Sequence, residues 1–271
     1  MLAAAFLFST GGAAIKATTL GAWRVASFRC IIATLALVVL VPEARRGWSW
    51  RLVPVSLAYA ATLLFFVLAT KLTTSANAIF LQATAPIYLL VLSPVLLHER
   101  IGRRDIGLAA AIGLGMALFF VAGGPTVSTA PNPSLGNLFG ALSGVAWALT
   151  VAGLRRHREA GIAVVAMGNL AGALIALGPA LPVASISGWD AAALAYLGVF
   201  QIGLAYFCLT VGLKQVRAFE ASALMLLEPA LNPVWVFLLQ GERPAPLAML
   251  GGAIILVATL AQALWASRTR A

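Results

Sequence analysis

Residues 71–100 and 214–243 carry one thirty-residue pattern twice, so the chain is expected to fold as one unit repeated. The first copy reads KLTTSANAIFLQATAPIYLLVLSPVLLHER and the second KQVRAFEASALMLLEPALNPVWVFLLQGER. At a shift of 143 residues, eight of the thirty positions match without a gap: Lys71 with Lys214, Ala78 with Ala221, Leu81 with Leu224, Pro86 with Pro229, Val91 with Val234, Leu96 with Leu239, and Glu99-Arg100 with Glu242-Arg243. Apolar composition alone rarely brings a proline and a charged pair into the same register.

The chain is 62% hydrophobic and 10% charged, less than half the charge a soluble domain carries, so it cannot clothe itself in water-compatible surface. An all-α polytopic membrane protein is expected. Its 18 basic residues against 8 acidic ones then belong to loops on one side of a bilayer, and no nucleic-acid partner is read. Cys30 and Cys208 both fall within apolar runs, so no disulfide framework is expected. The first apolar run has no basic segment before it and no small-residue cleavage site after it, so no signal peptide is expected.

Ten apolar runs of spanning length can be laid along the chain: roughly Met1–Ala17, Trp23–Val41, Leu52–Thr70, Ser75–Leu97, Ile106–Ala122, Leu135–Leu154, Gly161–Leu181, Ala191–Leu213, Ala218–Gln240 and Leu247–Ala266. The uncharged, proline-bearing GGPTVSTAPNPSLGN separates the fifth from the sixth. The expected organisation is one five-helix repeat over 1–124, an extracytoplasmic joint over 125–134 and a second five-helix repeat over 135–271. With the N-terminus inside, thirteen Lys and Arg fall on the cytoplasmic side and four outside, which puts both termini in the cytoplasm. Five helices per repeat is an odd number, so the second repeat enters the membrane inverted. Inverted repeats suit alternating access around a midplane site.

The proline-bearing helix, the Glu-Arg turn and the small-residue helix after it resemble the drug/metabolite transporter superfamily in its EamA-domain branch. Leu227-Glu228-Pro229-Ala230 with Gly241-Glu242-Arg243 carries the pattern best; Ala85-Pro86-Ile87 with His98-Glu99-Arg100 is the looser copy. Size and aromatic-rich helices are similar to YddG-type amino-acid exporters. The resemblance implies a bacterial inner-membrane exporter of small metabolites. Small multidrug transporters of the same superfamily carry a glutamate in their first helix, and LAAAFLFSTGGAAIK has none.

Glu228 is the foremost candidate site residue. It lies ten residues from one end of the ninth run and twelve from the other, too deep for its carboxyl to reach either surface. A charge at that depth costs on the order of 2.5–3.5 kcal/mol on insertion scales. Pro86 and Pro229 are expected to bend their helices and to free backbone carbonyls, which makes them candidate gating positions. Asn232 and Trp235 share a face with Glu228, and Gln82 and Tyr88 occupy the comparable middle of the fourth run. Gln201, Tyr206, Tyr59, Ser143, Trp147 and Ser9 stand at similar depth on other runs. Polar groups there need partners or water, and a substrate cavity supplies water.

Arg29 lies about one and a half turns below the outer end of the second run, so it is expected to snorkel outward rather than to clamp an anion. Gly136, Gly140 and Gly144 form a small-residue ridge expected to pack against another helix, as do Gly107, Ala111 and Gly115. No metal site, cofactor or catalytic residue is read. His98 and His157 sit at helix ends without neighbouring carboxylates at ligand spacing, and the three lysines also sit at helix ends.

The expected function is a secondary transporter exporting neutral and aromatic amino acids, with a monomer favoured over a dimer. Exchange of sugar phosphates or nucleotide sugars would want at least two deep cations, and the chain offers at most Arg29. A multidrug exporter is a further alternative. A lipid scramblase or scaffold subunit is the most remote.

Overall fold

A computed structural model describes residues 1–98, 101–122, 131–183 and 185–240, together with 246–247, 250–251, 253–254, 257–258 and 261. The described residues are helical, with no strand among them. Six helices are long and apolar enough to span a bilayer: Ala22–Leu40, Trp50–Leu72, Ser75–Leu97, Pro133–Arg156, Gly161–Ala180 and Gly188–Leu213. Leu2–Ala17 and Asp105–Gly115 are shorter apolar stretches. The Glu99-Arg100 and Glu242-Arg243 pairs, most of the joint and most of the tenth run lie outside the described residues.

The first run is two helices, α1 (Leu2–Ser9) and α2 (Gly11–Ala17). Ser9 Oγ donates to the Phe6 carbonyl at 2.6 Å and Thr10 Oγ1 to the Leu7 carbonyl at 2.7 Å. These hydroxyls compete for carbonyls within the helix, and two glycines follow where propensity is poorest. Next come α3 (Ala22–Leu40) and α4 (Val53–Leu72).

The fourth run breaks into α5 (Ser75–Gln82) and α6 (Ala85–Leu97), and the ninth into α12 (Ala218–Met225) and α13 (Leu227–Gln240). Both breaks fall ahead of the prolines expected to make the bend. A proline ring clashes with the carbonyl four residues before it and offers that carbonyl no donor. Four residues before Pro86 is Gln82, and four before Pro229 is Met225, the last residues of α5 and α12. The two helix ends are themselves 143 residues apart, so the repeat seen in the sequence is a repeat of the break.

Between them run α7 (Arg103–Ala122), α8 (Pro133–Arg156), α9 (Gly161–Ala180), α10 (Gly188–Tyr196) and α11 (Ala205–Leu213). The eighth run is not a plain α-helix. Leu197–Leu204, joining α10 to α11, is wound as a π-helix. Helix α8 starts at Pro133 behind an Asn132 side-chain cap, two residues before the expected boundary of the second repeat.

Packing respects the duplication. Helix α4 lies against α8 and α9, while the repeat-related α10–α11 segment lies against α1 and α3. Helices α3 and α9 pack on each other, and α5–α6 lean on α8 as α12–α13 lean on α1. The α8 glycine ridge lets the backbones touch. A Cβ on Gly136 would sit 2.7 Å from the Thr73 nitrogen, one on Gly140 3.0 Å from Leu81, and one on Gly144 2.6 Å from the Leu81 carbonyl. Gly107 on α7 has nothing within 4 Å, so the second expected ridge makes no such contact at that residue. Apolar side chains such as Val39, Val91, Leu174 and Leu238 stand exposed around the bundle, a surface that suits lipid.

Polar ties close both ends. At one, Lys16 donates to the Thr73 carbonyl, Lys71 to Thr18, and Thr19 to the Asp190 carboxylate. At the other, Arg217 bridges Asp105 and Glu220, Arg155 caps the Leu213 carbonyl and Arg156 the Leu96 carbonyl.

Candidate functional site

The two helix breaks face one another at mid-bundle. A cavity between them is lined by Gln82, Ala83 and Pro86 from the first and by Met225, Glu228 and Pro229 from the second, with Trp147 at its side. A second cavity holds Phe8, Arg29, Thr62, Gln201 and Tyr206 and shares Gln82, Trp147 and Glu228 with the first. The cavities are small, about 10 Å³ and about 30 Å³, room for water and not for an amino acid. Admitting a larger guest requires the helices to part.

Aromatic edges define one wall. Tyr206 meets Phe8 at 4.8 Å and Trp147 at 6.1 Å between ring centroids, both edge-on. Tyr59 was expected in the wall but stands behind it, fully buried, 4.5 Å from Tyr206, with its hydroxyl accepting from Asn169 Nδ2 at 2.8 Å. It lines neither cavity. Tyr88 is half-buried against the core on α6 and lines neither cavity.

The other expected residues fall into two groups. Gln82 reaches the cavity and donates through Nε2 to Ser143 Oγ at 2.6 Å, and Ser143 donates onward to the Thr62 carbonyl. This places Ser143 one bond behind the lining. Ser9, Asn232 and Trp235 form a separate latch. Asn232 Nδ2 donates to the Ser9 carbonyl at 3.1 Å, Trp235 Nε1 donates to Ser9 Oγ at 2.7 Å, and Trp235 meets Phe6 edge-on. The latch holds α13 to the end of α1 and lines neither cavity.

Arg29 does not snorkel. Its side chain is fully buried, Nη2 donates to the Leu63 carbonyl at 2.9 Å, and it lines the second cavity. The reason is the face it occupies. Val25, Arg29, Ala33 and Leu37 fall on one stripe of α3, and all four are buried against neighbouring helices. That four-residue spacing beside apolar neighbours was the signal in the sequence that could have placed Arg29 inward.

Gln201 sits in the π-helical stretch, which inserts an extra residue per turn and is often found at functional sites. Its amide lies against Gly11, where a Cβ would come within 2.5 Å of Nε2. Its Oε1 is buried without a partner among the described residues. Gly198 and Gly203, the only sequence hints of this winding, are too common in apolar helices to have marked it. No group of His, Cys, Asp and Glu suited to a metal ion occurs among the described residues.

Membrane-length helices built twice around a central cavity are the architecture of a membrane transporter. The chain belongs to the EamA-like transporter family, whose model matches residues 1–121 and 134–262, and it is therefore a membrane transporter of the drug/metabolite type. It is also similar in fold to a solved protein structure at a TM-score of 0.75 and 20% sequence identity, over 97% of this chain and 96% of that one. No curated protein matches it.

Proposed function

We propose that this protein is a secondary transporter of neutral, preferably aromatic, amino acids, exporting them across a bacterial inner membrane by alternating access. The reading rests above all on the two repeat-related helix breaks that meet over a mid-bundle cavity carrying Glu228 and an aromatic wall. Broken helices place polar backbone at membrane depth, which is tolerated where it lines a cavity. Aromatic edges and faces receive apolar side chains, and a face can also hold an ammonium. The cytoplasmic placement of both termini, the ten-helix inverted arrangement and a monomeric state belong to the same proposal.

Its test is flux in proteoliposomes containing the full chain. Phenylalanine, methionine and threonine are expected to move in preference to glutamate and glucose 6-phosphate. Preferred movement of either anion overturns the reading in favour of a phosphate or dicarboxylate exchanger. The sugar-phosphate alternative has one observation behind it, the buried Arg29, but a single cation set against a carboxylate suits a phosphate dianion poorly.

Topology is tested separately. Cysteines at Ser134, near the start of α8, and at Arg158, two residues past its end, are expected to react with an impermeant maleimide from opposite sides, Ser134 from outside. A cysteine at Arg268 is expected to label from the Arg158 side. Labelling of positions 134 and 268 from the same side would sink the inverted-repeat arrangement.

A further inference from the structure

We propose that Arg29 and Glu228 divide a zwitterionic amino acid between them, the Arg29 guanidinium taking its α-carboxylate and the Glu228 carboxylate its ammonium. This rests on the amino-acid reading above and names the residues that select the substrate's two charges.

Both side chains line the same cavity although they come from different repeats, α3 and α13. A guanidinium keeps its charge in proteins and carries five N–H donors. Arg29 is fully buried, and its one bond among the described residues is from Nη2 to the Leu63 carbonyl. Nε and Nη1 are buried with no partner among the described residues. Burying a cation with idle donors is costly, so the arrangement asks for an anion that arrives and leaves.

Glu228 would be the obvious permanent counterion, yet no ion pair joins it to Arg29 among the described residues. Had the two closed on each other, the charges would cancel and the site would have no appetite for either end of a zwitterion. Held apart across a shared space, they form a dipole whose complement is a molecule with one negative and one positive end. Gln201, whose Oε1 is an acceptor without a partner among the described residues, lines the same cavity and can add a second oxygen for an ammonium. Trp147 and Tyr206 line the same cavity and offer aromatic surface against which an apolar side chain can lie. The cavity admits only water-sized occupants in this conformation, so the clamp engages substrate once the helix breaks move apart.

Three probes of one shape test the assignment in proteoliposomes: phenylalanine, phenethylamine without the carboxylate, and 3-phenylpropionate without the ammonium. Wild type is expected to move phenylalanine at least about tenfold faster than either analogue, the scale of one charge-assisted hydrogen-bonded contact. Arg29→Gln should lose phenylalanine flux and prefer phenethylamine. Glu228→Gln should lose it and turn toward 3-phenylpropionate. Arg29→Lys keeps the cation, so it should retain the wild-type order of preference at a lower rate.

A merely structural Arg29 would lower all three fluxes together, and that result overturns the proposal. So does a wild type that moves phenethylamine or 3-phenylpropionate as well as phenylalanine, a comparison that needs no variant to fold. If wild type moves none of the amino acids, the functional reading itself fails. If it moves phenylalanine but the variants keep its preferences, only the clamp fails.

Discussion

Replacing Glu228 by glutamine is expected to leave the bundle folded and to cut phenylalanine flux by about tenfold or more, the scale of a lost hydrogen bond to a charged group. The side chain stands two residues into α13, beside the break, and lines both cavities. Glutamine has nearly the same volume and can still donate and accept, so packing at the break survives the change. What it cannot do is carry a charge or exchange a proton. Flux through the variant should therefore lose whatever pH dependence the wild type shows between about pH 5 and 8. A variant that transports like wild type throughout that range would make Glu228 a structural staple of the bend. Thermal unfolding in detergent, followed on the same preparations, separates loss of function from loss of fold.

Gly144→Val is expected to destabilise the protein by about 3 kcal/mol, at the upper end of ordinary overpacking. A Cβ at position 144 would lie 2.6 Å from the Leu81 carbonyl, 2.8 Å from Thr84 Oγ1 and 3.3 Å from the Gln82 carbonyl. Two of these are backbone atoms at the end of α5, which cannot swing aside as a side chain would. The third belongs to a hydroxyl already donating to Leu81 at 2.6 Å. Relief requires moving the break away from α8, so a lower thermal midpoint and lower flux should appear together. Alanine should show a smaller loss in the same direction. A valine variant as stable as wild type would mean that α8 and the break are not in the close contact described.

Much of this was legible in the chain itself. The 143-residue repeat announced a fold built twice, and the two prolines announced where its helices break, because a missing donor and a ring clash act locally whatever surrounds them. The glycines of α8 marked a close approach for a similar reason, since only a residue without a side chain lets two backbones meet. Part of the lining was legible too. Counting along the runs singles out Glu228, Gln82, Trp147, Gln201 and Tyr206 as polar or aromatic residues far from the run ends, and all five line the cavities. What counting could not supply was direction around the helix axis. Tyr59 and Tyr206 lie at similar depth, yet one stands behind the other because α4 presents Tyr59 to Asn169 of α9. Ser9, Asn232 and Trp235 satisfy one another, so their polarity went into holding α1 to α13 rather than into the cavity lining. Arg29 was decided by the packing of α3, which buries the stripe it occupies and turns a side chain long enough to reach the surface toward Leu63 instead. The π-helical winding around Gln201 likewise belongs to the tertiary structure. Its cost is met by contacts between helices, and nothing local in an apolar run distinguishes it from a regular helix.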